Sequence, residues 1–422
     1  MIFKEKNHNF KNYLDKWNLS KQNFVLFGAS KECIQLIRTI KIVLPEYDFK
    51  IKYLVDLDEG AQGKDIKLYD INKAAYKSEI NTDILSDKRF EVKSFEDYLN
   101  DKDQPKIIIT SDAYYNRIKN KLIENNKVED LDFTKYRKVA GIWPLLFKNL
   151  THLWRVDILL TEKCTLNCTF CNMYMPHYKK PKHKDLKKMK EDIDILFKNV
   201  DYISTLHLVG GEPFLYPNHK EVFEYIGENY RNKIDNVLIT TNGTLVPKPE
   251  VLDMIKKYKY LVSISDYTDG IDYKRRFDIF LKKLNEKKVN YFTRKNILWS
   301  DFGDPRVSKY ENLTDKEMIV HFNKCVAPYR GLSNKKLYFC HLNTSAILSE
   351  ILEDDPNDFI DLENISPEEL IKFDIGFIKK GYLTFCKNCN GCYSGIEVPV
   401  SPADQGIRSN PLLGTQIDQK GI

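Results

Sequence analysis

No stretch of this 422-residue chain approaches the roughly 18 consecutive apolar residues that a membrane-spanning helix needs. The first residues, MIFKEKNHNF, lack the apolar run of a secretory signal, which points to a cytoplasmic location. Charge of either sign is not in large excess: 66 Lys and Arg against 60 Asp and Glu leave +6, too little to imply nucleic acid. There is no G-x-G-x-x-G fingerprint, no internal repeat and no low-complexity block. The composition, 42% hydrophobic and 30% charged, is that of a globular protein, and the length suits two or three domains with a large core. Cysteine is not scarce. Without a secretory signal, nine cysteines read as metal or redox chemistry, not as a disulfide framework.

Three zones differ in pattern. In residues 1–140, NFVLFGAS supplies a strand, a Gly turn and then an amphipathic helix from about Lys31 to Val43. IKYLVDLD and KIIITSDAYYNRIKNKLIE continue the strand-then-helix alternation, which predicts a parallel, Rossmann-like α/β domain. Gly28 alone does not make a dinucleotide site, so the domain is expected to be a degenerate nucleotide-type module or a purely structural one. In the first reading Gly28–Ser30 would face a phosphate, Asp56 and Asp58 a ribose, and Ser111 and Asp112 the same crevice. GIWPLLF, with a Gly and a Pro, reads as a packed connector. From 150 to 312 a second series follows: strands RVDILLT, TLHLVGG, NVLITTNG, YLVSISD and VNYFTR, separated by helices. It predicts a partial parallel β/α barrel with its site at the C-terminal strand ends. In residues 313–400 hairpin-like pieces and the remaining cysteines replace that alternation, and 401–422 is a tail.

LTEKCTLNCTFCNMY places Cys164, Cys168 and Cys171 on a loop directly after the first barrel strand. Three thiolates hold three irons of a [4Fe–4S] cube and leave the fourth iron open to a reactant. A zinc site completed by His177 or His183 satisfies the same spacing. The neighbourhood distinguishes them: CTLNCTFC, LVGGEPFLYP, TTNGT and SISDY fall in turn after strands one to four and resemble the radical S-adenosylmethionine (SAM) superfamily. The resemblance covers about Val156 to Arg294. It implies a (β/α)6 barrel in which the open iron chelates SAM and one electron yields a 5′-deoxyadenosyl radical that abstracts hydrogen from a substrate. It further implies that Gly210 and Gly211 let the backbone approach SAM, Glu212 accepts from its ammonium, Phe170 lies against adenine, Asn242 and Ser265 meet adenosine, and Arg294 pairs with the carboxylate. Asn242-Gly243 is equally an ordinary turn pair.

NKCVAPYRGLSNKKLYFCHL and LTFCKNCNGCYSG resemble the shortened SPASM, or twitch, domain of radical SAM proteins, which binds an auxiliary [4Fe–4S] cluster. The implied ligands are Cys325, Cys340, Cys386 and Cys389, with a four-cysteine zinc site as the alternative. Cys392 is left over, either as a ligand in a crowded loop or as a catalytic hydrogen-atom donor to a substrate radical; Cys33 reads as a small core residue. YKKPKHKDLKKMK carries seven lysines, a solvated helix face or a docking surface for an acidic electron donor such as flavodoxin. The Rossmann-like N-terminus resembles domains that accompany sugar-nucleotide and glycan enzymes. The expected activity is therefore an oxidoreductase or epimerase acting on a carbohydrate or carrier-linked sugar. Modification of a ribosomally made peptide and a non-catalytic scaffold are the alternatives.

Overall fold

The computed structural model describes residues 10, 16–19, 22–67, 89–295, 298–326, 329–393 and 399–405; residues 406–422 of the expected tail lie outside these. The chain divides into two compact units, residues 1–154 with 393–395 and residues 155–392 with 396–422. Among the described residues no helix is long and apolar enough to cross a membrane.

The first unit is built on strands β1 (Phe24–Phe27), β2 (Ile51–Val55), β3 (Asp65–Lys67), β4 (Arg89–Lys93), β5 (Lys106–Ile109) and β6 (Phe133–Lys135). Their order is β3-β4-β2-β1-β5-β6, parallel except for β3 at the edge. The five parallel strands follow the doubly wound order of a Rossmann-like sheet, with a switch point between β1 and β5. Helix α1 (Lys31–Val43) follows β1, and α2 (Phe95–Leu99) and α3 (Tyr115–Glu124) follow β4 and β5.

The switch point itself is closed. Gly28 has φ +111, and a Cβ there would lie 2.8 Å from the Ser111 Cβ. The Ala29 amide donates to Asp56 Oδ2 at 2.7 Å, and Asp56 Oδ1 accepts from the Asp58 amide at 3.0 Å. Asp112 is held by Arg137, by the Tyr136 hydroxyl at 2.8 Å and by Lys135 at 3.2 Å. The Ser30 side chain accepts the Glu32 amide at the start of α1. Of the groups expected to meet phosphate and ribose, Asp56 is thus bonded to backbone amides and Asp112 to side chains of α4 and the residue before it.

GIWPLLF is not a connector but the body of helix α4 (Tyr136–Lys148). Pro144 has no N–H for the carbonyl four residues earlier, that of Ala140. His152 Nδ1 takes that carbonyl at 2.8 Å, which requires the tautomer protonated at Nδ1. Trp143, Val139, Ala140 and Ile142 are fully buried, and Trp143 Nε1 donates to the Trp17 carbonyl at 2.9 Å. Burial of this face outweighs the helix-breaking residues that pattern reading weighs first.

The second unit holds the expected barrel series. Strands β7 (His152–Leu159), β8 (Tyr202–Val209), β9 (Ile234–Thr241), β10 (Leu261–Asp266) and β11 (Tyr291–Lys295) alternate with helices α5 (Leu186–Asn199), α6 (His219–Asn229), α7 (Pro249–Lys257) and α8 (Lys274–Glu286). The two residues of β12 (Trp299–Ser300) precede α9 (Asp315–Lys324), β13 (Arg330–Ser333), β14 (Lys336–Tyr338), α10 (His341–Leu348), β15 (Phe359–Asp361), α11 (Pro367–Asp374) and β16 (Pro399–Val400). One eight-stranded sheet runs β11-β10-β9-β8-β7-β13-β14-β15. The sixth parallel strand of the expected (β/α)6 series is therefore β13, which pairs with β7 and not with β11. Through β13–β15, residues expected to form a separate domain extend the barrel's own sheet.

A buried ion pair anchors this extension. Arg330 Nε donates to Asp374 Oδ1 at 2.6 Å and Nη1 to the Phe339 carbonyl at 2.6 Å, and the guanidinium lies 3.7 Å from the Phe339 ring centroid. Asp374→Ala leaves a buried guanidinium without its carboxylate, and we expect it to cost about 3–5 kcal/mol. Chemical denaturation would read this; a variant as stable as the parent would show that the pair does not hold the extension.

Candidate active site

The cysteine loop and the turn after β8 are interlocked. A Cβ at Gly210 (φ +143) would lie 2.5 Å from the Thr161 carbonyl oxygen, and one at Gly211 only 2.0 Å from that of Lys163. The close approach that Gly210 and Gly211 permit is thus to the cysteine loop. It is fixed by the Gly211 amide donating to Thr161 O at 2.8 Å and the Glu212 amide to Lys163 O at 2.9 Å. Glu212 is fully buried. Its Oε1 accepts from Thr241 Oγ1 at 2.8 Å and the Phe214 amide at 3.2 Å, and Oε2 accepts from the Asn242 amide at 2.9 Å. Burial nevertheless pushes its carboxyl up to about 7. A carboxylate so placed gains most from a cationic partner.

Side-chain and backbone N–H groups converge on the three thiols. Cys164 Sγ accepts from the Leu166 amide at 3.4 Å and from Asn242 Nδ2 at 3.6 Å. Cys168 Sγ accepts from Gln405 Nε2 at 3.3 Å. The backbone of Met173, Tyr174 and Met175 lies near Cys171 and favours its thiolate. Burial pushes all three thiols up, Cys168 to about 12 with Cys171 beside it. A neutral thiol is a weak acceptor, so this many donors fits thiolates whose charge is balanced by bound iron. Of the two histidines considered for zinc, His183 is bonded through Nδ1 to Thr161 Oγ1 at 2.9 Å.

The remaining residues of the signature are placed as follows. Asn242, expected at adenosine, has its Oδ1 bonded to the Thr244 amide and hydroxyl and its Nδ2 shared between Thr165 and Cys164. Ser265, near the end of β10, lies close enough to the Tyr267 hydroxyl to influence it. Phe170 is half-buried. Arg294 is solvent-accessible on β11, and among the described residues it has no carboxylate partner.

Polar strand positions that the sequence reading passed over form a connected network. Arg155 Nε donates to Asp157 Oδ1 at 2.7 Å, and its Nη2 contacts His207 Nδ1; His207 Nε2 meets Thr240 Oγ1 at 2.7 Å. Burial raises the Asp157 carboxyl, but Arg155 and His207 outweigh it and hold the group well below the usual carboxylate range. Burial and Arg155 push His207 down to about 4, so it is neutral near pH 7. The Arg155 guanidinium lies 3.9 Å from the Tyr329 ring centroid, and Tyr329 stacks on His341. Arg294 lies within electrostatic reach of both His207 and Tyr267.

The second cysteine set also converges. Cys325 closes α9 and Cys340 precedes α10, while Cys386 lies within a short 3-10 turn (Thr384–Asn388) that Cys389 caps. Burial pushes Cys340 up to about 12 and Cys386 and Cys389 well above the usual range, and Cys325 adds to each effect. Cys392 influences Cys389, and its carbonyl accepts the Val326 amide at 2.7 Å. None of the nine cysteines is in a disulfide. Among the described residues, no group of three or more His, Cys, Asp or Glu closes around a single metal ion. Tyr174 connects the two sets: its amide donates to the Cys171 carbonyl, and its ring packs with Phe339, Phe385 and Cys389. Its buried hydroxyl has no partner among the described residues. An orphan donor beside Cys340 and Cys389 fits a sulfur-rich acceptor seated among them.

Sequence comparison agrees with this geometry. The family profile of the Radical SAM superfamily matches residues 158–298. These residues are a radical SAM domain. Its cofactors are SAM and the [4Fe–4S] cluster that SAM binds. The Bacillus subtilis antilisterial bacteriocin subtilosin biosynthesis protein AlbA is 30% identical over 114 residues, 27% of this chain and 23% of that protein. A GTP 3′,8-cyclase of Desulforamulus reducens is 32% identical over 99 residues, 23% of this chain and 29% of that protein. The match thus spans only about a quarter of each relative's length. Among solved structures, native anSMEcpe with bound AdoMet shares 15% identity, covering 58% of this chain and 92% of that one with a TM-score of 0.37. BtrN in complex with AdoMet and 2-DOIA shares 16%, covering 58% and 96% with a TM-score of 0.38.

The loop bearing Cys386 depends on Asp358, which accepts from the Thr384 amide at 2.6 Å and the Phe385 amide at 2.8 Å. Burial pushes its carboxyl up to about 6. Asp358→Ala strands those buried amides at about 1–3 kcal/mol each. We expect lower stability and a loss of iron confined to the second cysteine set, measured by iron analysis and Mössbauer spectroscopy. Full iron content would show that this carboxylate does not organise the loop.

Proposed function

We propose that the chain is an enzyme that uses a SAM-derived radical to abstract hydrogen from a carbohydrate or carrier-linked sugar, with epimerisation or dehydrogenation as the outcome. When bound and reduced, the cluster supplies the electron that cleaves SAM to a 5′-deoxyadenosyl radical. Cys164, Cys168 and Cys171 would hold it, and Glu212 would accept from the SAM ammonium. Gly210 and Gly211 position that carboxylate by letting the turn lie against the cysteine loop. Phe170, Ser265 and Arg294 remain the residues for adenine, adenosine and carboxylate, and Asn242 would act from beneath the loop. Cys325, Cys340, Cys386 and Cys389 would hold an auxiliary [4Fe–4S] cluster, with Cys392 beside it as the candidate hydrogen donor.

The observation that carries the substrate reading is the polar network of Arg155, Asp157, His207 and Thr240, with Arg294 near it. Such groups suit hydroxyl-rich or anionic substrates, since each can donate to or accept from a polar ligand. The likeness to the subtilosin biosynthesis protein favours a second reading, modification of a ribosomally made peptide. Anaerobic incubation with SAM, dithionite and either nucleotide-sugars or candidate peptides separates them by which class raises 5′-deoxyadenosine formation. An acidic reductant is the proposed electron donor; Lys179, Lys180, Lys182, Lys187 and Lys188 are exposed, whereas Lys184 turns inward to Ser333.

Cys171→Ala should abolish 5′-deoxyadenosine formation while iron in the second cysteine set remains; an unchanged yield would refute the cluster assignment. Glu212→Gln should weaken SAM binding about 10–150-fold, the range of a lost charge-assisted bond of about 1.5–3 kcal/mol. Because burial raises the free carboxyl to about 7, SAM affinity should rise with pH up to about 7 and then level off. Calorimetry across that range reads the effect, and a flat profile would remove Glu212 from the ammonium site.

A further inference from the structure

We propose that Gln405 is a positioning residue for the SAM-binding cluster, reaching Cys168 from a segment 237 residues away and tuning the cluster's reduction potential through an N–H···S bond. The proposal rests on the cluster reading of Cys164, Cys168 and Cys171. It adds a residue that the cysteine signature does not contain.

The orientation of the Gln405 amide is fixed by its partners. Its Oε1 accepts from the Asn167 backbone amide at 2.8 Å, a group that can only donate. Its Nε2 donates to the Ala403 carbonyl at 2.6 Å, a group that can only accept. With both ends assigned, the contact of Nε2 with Cys168 Sγ at 3.3 Å is a donation to sulfur. A flipped amide would set two acceptors and two donors against each other.

The segment is held as well as the side chain. Cys168 and Gln405 form an antiparallel bridge, and the Thr169 amide donates to the Asp404 carbonyl at 2.7 Å. Ala403 is buried in a cluster with Leu166 and Cys168, against which Cys164, Cys171, Tyr267 and Trp299 pack. Upstream, β16 pairs antiparallel with β12, whose Trp299 meets the Tyr267 ring edge-on. Cys168 is left only 6% exposed. Residues 399–405 therefore form a strap across the cysteine loop, with Gln405 its one side chain bonded to a cluster sulfur.

A ligand sulfur becomes more electron-rich when the cluster gains an electron. A donor aimed at it stabilises the reduced state and raises the potential, and removing the donor lowers it. Asn242 supplies a comparable contact to Cys164. The two amides thus act on two of the three ligand sulfurs.

The test is an EPR-monitored redox titration of the full-length chain, anaerobically reconstituted, read on the signal that added SAM perturbs. Absence of that signal from the parent protein would refute the cluster reading itself, apart from any role of Gln405. Gln405→Met removes the donor. Gln405→Glu keeps an acceptor for the Asn167 amide while replacing the donor with an oxygen. We expect the midpoint potential to move negative in Gln405→Met and further in Gln405→Glu, with iron content and SAM binding retained. An iron-replete variant with the parent's potential overturns the proposal. A lowered melting temperature of the whole chain in both variants, with iron lost from both cysteine sets, would make the residue merely structural and also overturn it. Iron lost from the first set alone, at the parent's melting temperature, supports the positioning role.

Discussion

The site depends on one steric interlock, the seating of the Gly210–Gly211 turn against the carbonyls of Thr161 and Lys163. No side chain fits between them: a Cβ at Gly211 would lie 2.0 Å from an oxygen. The contact joins the cysteine loop after β7 to the acidic turn after β8. Because Glu212 follows directly, the same contact carries its carboxylate beneath the cysteines and into hydrogen bonds with Thr241 and Asn242 from β9. Asn242 in turn reaches Cys164. Three successive strand ends are therefore registered by backbone packing, and the donors on each sulfur follow from that registration.

A second constraint is electrostatic. Nearly every polar group of the site is buried, and burial favours neutral forms: thiols are pushed up, Glu212 is raised to about 7 and His207 is lowered to about 4. Such a site gains most when compensating partners arrive, iron for the thiols and the N–H groups of the SAM amino nitrogen for the carboxylate. The Arg155–Asp157–His207 network supplies its own compensation and keeps Asp157 ionised within the fold.

Much of the arrangement was legible in the sequence where covalent spacing or period dictates it. Cys164, Cys168 and Cys171 lie within eight residues, so a single loop brings them together, and each later motif falls at a predicted strand end. The β/α alternation likewise revealed both parallel sheets. What escaped reading depends on tertiary contact. GIWPLLF looked like a break because the partner that rescues its free carbonyl, His152, lies beyond the helix. The pairing of β13 with β7, and not with β11, follows from no local pattern. The segment EVPVSPADQ, which ends on Gln405, carries no pattern that places it against Cys168, since a single glutamine acquires that meaning only from where the chain carries it. The acidic residues Asp56 and Asp112 show the opposite limit: sequence displays the groups but not the backbone amides that Asp56 accepts from or the Arg137, Tyr136 and Lys135 side chains that hold Asp112.

The central claim is that the cluster held by Cys164, Cys168 and Cys171 binds SAM directly at an open iron. It is tested most directly by electron–nuclear double resonance on the reduced full-length chain with SAM carrying ¹⁵N at its amino group. A ¹⁵N hyperfine coupling is expected that Cys171→Ala removes and substitutions in the second cysteine set leave intact. A reduced cluster showing no such coupling at saturating SAM would contradict it.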